Sequence, residues 1–381
     1  MSKFDEIRSY DDTEVNDALM SVAKHPMMKA LMSFTFPDRD EDFWLDQFKD
    51  VHSIADFQKQ FIAQTVRQIL KRSSEGLTTS GFEKLDKNTS YLFISNHRDI
   101  VLDTSLLNLA LLDQGLIMTS SAIGDNLVSK KFLHVLAKLN RNFLVQRGLS
   151  IREQLSGSQL LSEYISTLLT QENRSVWMAQ REGRTKDGND ATQQGVLKML
   201  AMAAGDVSLT EFFKNLRIVP LSISYEYDPT DILKMPQLLA SSRNEVYIKE
   251  ENEDFTTMLS GVLGQKRHIH LHAGDVVSTE LDCLEKQGEN KNKKLQTIAQ
   301  IIDERVIQNY KLWPTNFIAY DLLYNTNEYS DRYSESEKQL FERRLEMRIA
   351  GADKTTSDSF LAMYANPVIN KMRHKERVSA E

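Results

Sequence analysis

Between Thr79 and Thr279 the chain switches repeatedly between two hydrophobic periods, and few folds accommodate that. The short apolar runs "YLFIS", "LIMTS", "NFLVQ", "SVWMAQ", "RIVPLSISY" and "HIHLHAGDVV" read as strands. Between several of them lie amphipathic stretches such as "DTSLLNLALLD" and "NLVSKKFLHVLAKL", with apolar residues at helical spacing. Strands alternating with helices predict an α/β domain, a sheet with helices flanking it, over residues 79–280. Residues 1–78 read as a helical N-terminal region, from the periodicity of "DALMSVAKHPMMKALMSF" and "SIADFQKQFIAQTVRQILKR", the second opened by Ser53 as N-cap. Residues 281–381 begin with the polar, lysine-rich "EKQGENKNKK" and continue as a helical C-terminal region.

Bulk properties narrow the function. A net charge of -7 argues against a nucleic-acid partner, because the phosphate backbone rewards excess Lys and Arg. The single cysteine, Cys283, excludes an internal disulfide and agrees with a reducing cytoplasm. The opening "MSKFDEIRSYDDTEV" lacks the apolar core of a secretory signal, and no apolar run is long enough to span a bilayer. Contact with a membrane is therefore expected from its surface.

Two stretches carry chemistry. In "SYLFISNHRDIVLD" a strand empties into a polar turn holding His97, Asp99 and Asp103. The carboxyl end of a strand in an α/β sheet is where reactive groups collect, and an imidazole there can take up a proton if a partner orients it. Asp99 precedes a helical run, as an N-cap does, and Asp103 follows one turn later. This spacing assigns Asp99 to the cap and Asp103 to the histidine. In "SVWMAQREGRTKDGND" a second strand empties into Glu182, Gly183, Arg184 and Lys186, which concentrate positive charge beside a permissive glycine and suit a phosphorylated substrate. Arg147 follows the apolar run Phe143 to Val145. Pro220 interrupts "RIVPLSISY", which predicts an edge strand or a bulge.

Taken in order, Asn-His-Arg with a downstream Asp, Phe-Leu-Val-x-Arg, Glu-Gly-Arg and Val-Pro-Leu resemble the glycerolipid acyltransferase family, which includes glycerol-3-phosphate and lysophosphatidic acid acyltransferases. The resemblance covers residues 81–277. It implies an acyltransferase-type sheet with flanking helices and an O-acyltransferase that needs no cofactor or metal. It further implies acyl-CoA or acyl-carrier protein as donor and a glycerol-phosphate or lysolipid acceptor. By position, His97 becomes the general base and Asp103 its orienter, with Asp99 as the other candidate. Arg147 and Arg184 would hold the acceptor phosphate, Glu182 and Gly183 would shape the loop with Lys186, and Pro220 would lie near the donor or acceptor channel. Two spacings depart from the family pattern. Five residues rather than four separate His97 from Asp103, and Arg184 follows Gly183 directly instead of after one residue.

Other features admit plainer readings. His268, His270 and His272 share one face of a strand, and a polar strand face is preferred over a zinc site for want of a closing ligand. The lysine-bearing helix of "NLVSKKFLHVLAKL" suits core packing better than a bilayer interface. Met27, Met28 and Met32 fit either core filling or an acyl groove. The expectation is an acyltransferase in the cytoplasm, peripheral at the inner face of the cell membrane. The alternatives are a non-catalytic lipid- or acyl-carrier-binding protein of the same fold and, without a Gly-x-Ser-x-Gly elbow, a less favoured thioester or ester hydrolase.

Overall fold

The computed structural model describes residues 2–380. Five helices come first: α1 Asp12–Val22, α2 Pro26–Thr35, α3 Glu41–Lys49, α4 Ile54–Phe57 and α5 Ala63–Ser73. Ser53 caps α4, its hydroxyl accepting from the Asp56 N–H at 3.0 Å. The sheet region follows as β1 Ser74–Ser80, β2 Leu92–Ser95, α6 Leu102–Gln114, β3 Thr119–Gly124, α7 Lys131–Leu139, β4 Asn142–Val145, α8 Ile151–Thr170, β5 Ser175–Ala179, α9 Gln194–Leu200, α10 Leu209–Asn215, β6 Ile218–Tyr225, α11 Asp231–Ser242, α12 Glu253–Leu263 and β7 Arg267–Ala273. The chain ends in α13 Ser278–Lys286, α14 Lys291–Asn309, α15 Pro314–Tyr324, α16 Glu335–Ile349 and α17 Lys354–Ala380.

The α/β expectation holds. Seven strands form one sheet in the order β1-β7-β6-β2-β5-β3-β4. Every pairing is parallel except that of β6 with β7. The central strands β2, β5 and β6 are almost wholly buried because helices cover both faces. On one face Leu92, Ile94, Val176, Met178 and Ile218 pack against α8, α9, α10, α13 and α14. On the other, Phe93, Trp177, Val219, Leu221 and Ile223 pack against α5 and α6. The sheet starts at Ser74, ahead of the boundary expected after residue 78, because "SEGLTTS" is an edge strand with little apolar content to mark it.

Pro220 corrects the edge-strand reading. Strand β6 is interior, flanked by β7 and β2. The proline is tolerated because the antiparallel β7 ladder begins only at Leu221, paired with Ala273. One residue earlier, the flank of β6 is covered by a loop whose Gly274 N–H donates to the Pro220 carbonyl at 2.9 Å.

Both terminal regions share cores with their neighbours. Met28 and Met32 are fully buried with Trp44, Phe48 and Phe57, and Phe132, Val135 and Leu139 of α7 join the same cluster. Helix α7 is thus a packing helix, and these two methionines fill a core. At the other end, Ile318, Phe341, Phe360 and Tyr364 of α15–α17 close over Tyr227 and Met235.

Gly81, just past β1, has φ +82°, and a Cβ there would lie 2.0 Å from the Ala273 carbonyl oxygen. Gly81→Ala therefore combines a strained backbone with a clash against main chain. A loss of about 2–4 kcal/mol is expected, read from the urea-unfolding midpoint.

Candidate active site

The site grows out of the carboxyl end of β2. Asn96 locks that end to β6 through two 2.8 Å bonds, its amide donating to the Ile223 carbonyl and accepting from the Ile223 N–H. The chain then turns, and His97 Nδ1 lies 2.8 Å from Asp103 Oδ2 in the first turn of α6. Five intervening residues still bring the pair together because residues 98–101 form a compact turn rather than helix. The same Oδ2 accepts from the backbone N–H of Arg98 at 2.6 Å and of Asp99 at 3.0 Å, and Oδ1 accepts from the Tyr225 hydroxyl at 3.0 Å. A carboxylate serving as acceptor on every side leaves the imidazole to donate, so we assign the proton to Nδ1 and the lone pair to Nε2. The ring keeps 14% side-chain exposure and meets Trp177 edge-on at 5.3 Å, so it reaches solvent without being loose.

Asp99 does different work. Its Oδ1 accepts from the Val101 and Leu102 N–H groups at 2.9 and 2.8 Å, holding the start of α6. Burial, with the neighbouring Asp103 charge, raises its pKa. A Cβ on Gly261 of α12 would stand 2.0 Å from Asp99 Oδ2, so the glycine permits that helix to close over the turn.

The Glu-Gly-Arg loop is tied directly to the histidine. The Thr185 N–H donates to the His97 carbonyl at 3.0 Å, and the Gln180 N–H donates to Ser95 O at 2.8 Å. Gly183 adopts φ +69°, the conformation that favours glycine. From this loop the charged side chains diverge. Arg184 donates to the Thr230 hydroxyl at 3.3 Å on the β6 side. Arg147 instead ion-pairs with Glu182 on the β4 side, at the rim of a cavity of about 370 Å³ lined also by Leu149, Ser158 and Leu161. The two arginines expected to share one phosphate thus have different partners, Glu182 and Thr230. Pro220 does not join them either, being a buried residue of β6 paired with Ile94.

Lys186 takes the place beside Arg184. Burial, reinforced by repulsion from Arg184, Lys234 and Lys249, lowers its pKa to about 7. Lys234 is fully buried on α11, ion-paired with Asp228 and 3.3 Å from the Arg98 carbonyl. Arg98 turns inward to Asp190 and over the Tyr310 ring. The C-terminal helices complete this support. Arg344 and Tyr364 both donate to Asp231 Oδ2, at 2.6 and 2.8 Å, and Asn366 donates to the Asp187 carbonyl at 2.6 Å. None of Tyr225, Lys234, Arg344 or Asn366 carries a local sequence signal, since each acts across a long loop.

Residues 76–224 match the acyltransferase family. This segment is an acyltransferase domain. It contains His97, Asp103, Arg147, the Glu182–Lys186 loop and Pro220, and it stops short of Asp228, Thr230 and Lys234. The crystal structure of PlsC, a 1-acyl-sn-glycerophosphate (LPA) acyltransferase from Thermotoga maritima, aligns over 76% of this chain and 91% of its own. At 11% identity and a TM-score of 0.37 it is too distant for residue-by-residue comparison. No curated protein sequence matches the chain. Beyond the matched segment, on β7, the three strand histidines are engaged locally: His268 with Glu226 at 2.5 Å, His270 with Thr78 at 2.7 Å and His272 with Ser80 at 2.8 Å.

Tyr225→Phe removes the one partner of Asp103 Oδ1 and leaves that oxygen buried. A cost of about 1–3 kcal/mol in urea unfolding is expected.

Proposed function

We propose that the protein moves a fatty acyl chain from a thioester donor, acyl-CoA or acyl-carrier protein, to the hydroxyl of a glycerol-phosphate-like or lysolipid acceptor. The observation that carries this reading is the oriented His97–Asp103 pair, tied by the Thr185–His97 backbone bond to a loop that presents Arg184 and Lys186. His97 Nε2 takes the acceptor hydroxyl proton as the oxygen attacks the thioester carbonyl carbon. The tetrahedral intermediate then expels the thiolate, the C–S bond breaks, and the imidazolium returns the proton to sulfur. No acyl-enzyme is needed. Asp103 holds the tautomer and stabilises the imidazolium. Arg184 and Lys186 bind the acceptor's phosphate, while Arg147 and Glu182 shape the cavity rim.

Access from the cytoplasmic membrane surface fits the exposed apolar residues around the site. No helix among the described residues is long and apolar enough to cross a membrane. Val246 and Ile248, 89% and 81% exposed, flank Lys249, whose charge reaches Lys186. Ile151 is 88% exposed beside the Arg147 rim. The non-catalytic alternative drew on the two shifted spacings, and for the first of them the 2.8 Å His97–Asp103 bond supports the catalytic reading instead.

His97→Ala is expected to lower transfer of a labelled acyl chain by at least about a hundredfold with the fold retained by circular dichroism. Asp103→Asn, which favours the wrong tautomer, should do the same. Unchanged turnover in His97→Ala would end the assignment.

Lys186 supplies a pH signature. Its folded pKa lies near 7, below the 10.5 of an ordinary lysine, so in the folded protein it is neutral between those values and charged below. The free protein thus gains stability as pH rises from about 7 towards 10.5, where only the unfolded chain still binds that proton. A phosphate acceptor must draw a proton onto Lys186 above pH 7, so acceptor KM should rise with pH there. Calorimetry in buffers of different ionisation enthalpy should record proton uptake at pH 8, and Lys186→Met should abolish it.

A further inference from the structure

At the opposite end of the sheet from His97 lies a cavity of about 500 Å³, lined among others by Ser120, Arg141, Tyr164 and Arg174 and covered by the N-terminal segment. Arg141 immediately precedes β4 and Arg174 immediately precedes β5. Because β2, β3, β4 and β5 run parallel, these positions mark the amino ends of the strands, whereas His97 follows the carboxyl end of β2.

Three arginines of this protein stand in a left-handed conformation just before or at the start of a strand: Arg141, Arg217 and Arg267. Two have obvious employment. Arg217 donates to the Ser90 carbonyl at 2.7 Å and to Leu169 O at 3.0 Å, and Arg267 pairs with Glu75 at 3.1 Å. Arg141 is only 9% exposed and lines the cavity, yet no hydrogen bond or ion pair to its guanidinium occurs among the described residues. The same holds for the half-buried Arg174 beside it.

The acids nearby do not answer this charge. Asp5 and Asp11 are taken by Arg8, at 2.8 and 3.3 Å, and Asp12 Oδ1 accepts from the Ile54 N–H at 3.1 Å. Glu172 is exposed at the rim. Burial, then repulsion from Arg174, pushes the Arg141 guanidinium down to about 9, and the attraction of Asp12 is the smallest of the three influences. A buried cation facing a second cation across a wet cavity is costly unless an anion sits between them.

We infer that this cavity is a second ligand site, remote from the acyl-transfer site, in which Arg141 and Arg174 bind a phosphate group. Two guanidinium forks, with the Ser120 and Tyr164 hydroxyls nearby, match a tetrahedral oxyanion carried by a small metabolite or by a lipid headgroup. Nothing in the chemistry of acyl transfer requires this site, so its ligand would act on the protein rather than be consumed.

The probe is inorganic phosphate against chloride at matched ionic strength, with urea unfolding of the full chain as the readout. Phosphate at ten times its dissociation constant should raise the folding equilibrium about tenfold in the wild type. Arg141→Gln should lose that gain relative to the wild type, leaving only what the Arg184–Lys186 loop contributes. Arg174→Gln, at a half-exposed position that folds safely, should lose most of it too. Both variants should keep acyl transfer within about twofold in phosphate-free buffer. Co-sedimentation with phosphatidylcholine vesicles, with and without phosphatidate, assigns the source. Phosphatidate-dependent binding lost in Arg141→Gln means a lipid headgroup, and a phosphate response without it means a soluble ligand. Equal phosphate responses in the wild type and both variants, or none beyond chloride in the wild type, would overturn the site.

Discussion

The buried carboxylate of Asp103 is the constraint on which the rest of this site depends. Fully excluded from solvent, it accepts from a ring nitrogen, two backbone amides and a phenol, contributed by the β2 turn and the distant β6. A buried charge is tolerable only when so satisfied, and each donor that satisfies it is thereby fixed in place. The turn of residues 97–99, the entry of α6 and the end of β6 cannot move independently. That rigidity aims His97 Nε2 outward with a defined tautomer, which general-base chemistry needs and a surface histidine lacks.

Around this anchor the protein arranges charge in two shells of different character. Arg98, Asp190, Lys234 and Asp228 are buried and mutually paired, so they build the floor and are spent on structure. Arg184 and Lys186 have weaker partners, and burial, with repulsion from Arg184, Lys234 and Lys249, lowers the Lys186 pKa. The C-terminal helices reach the same floor through Arg344 and Tyr364 on Asp231 and through Asn366 on the loop. A region outside the acyltransferase match thus braces the loop that the match contains.

The same reasoning separates the two arginine-lined cavities. At the carboxyl end of the sheet, Arg147 has Glu182 for company at the rim of a cavity. At the amino end, Arg141 has a left-handed backbone, deep burial and no side-chain partner among the described residues, while Arg217 and Arg267 both have one. Unanswered charge distinguishes a binding site from a structural one more reliably than cavity size does.

Much of this was legible in the sequence. Periodicity settles the α/β class, because a strand buried on both faces and an amphipathic helix need different apolar spacings, and both are written in consecutive residues. The order of short motifs marks the acyltransferase segment, since each motif lies in or just after a strand that the pattern already reveals. Sequence spacing assigned Asp103 to His97 and kept Asp99 as the other candidate, and it misjudged Pro220, because where a neighbouring strand stops is not encoded beside the proline. What only the tertiary structure supplied is the further hold on Asp103 by a Tyr225 hydroxyl 122 positions away. It also gave Arg147 and Arg184 different partners and left the Arg141 guanidinium without one among the described residues. Local residues dictate which elements form; which charges finally meet depends on the packing of distant elements, and no window of sequence contains that information.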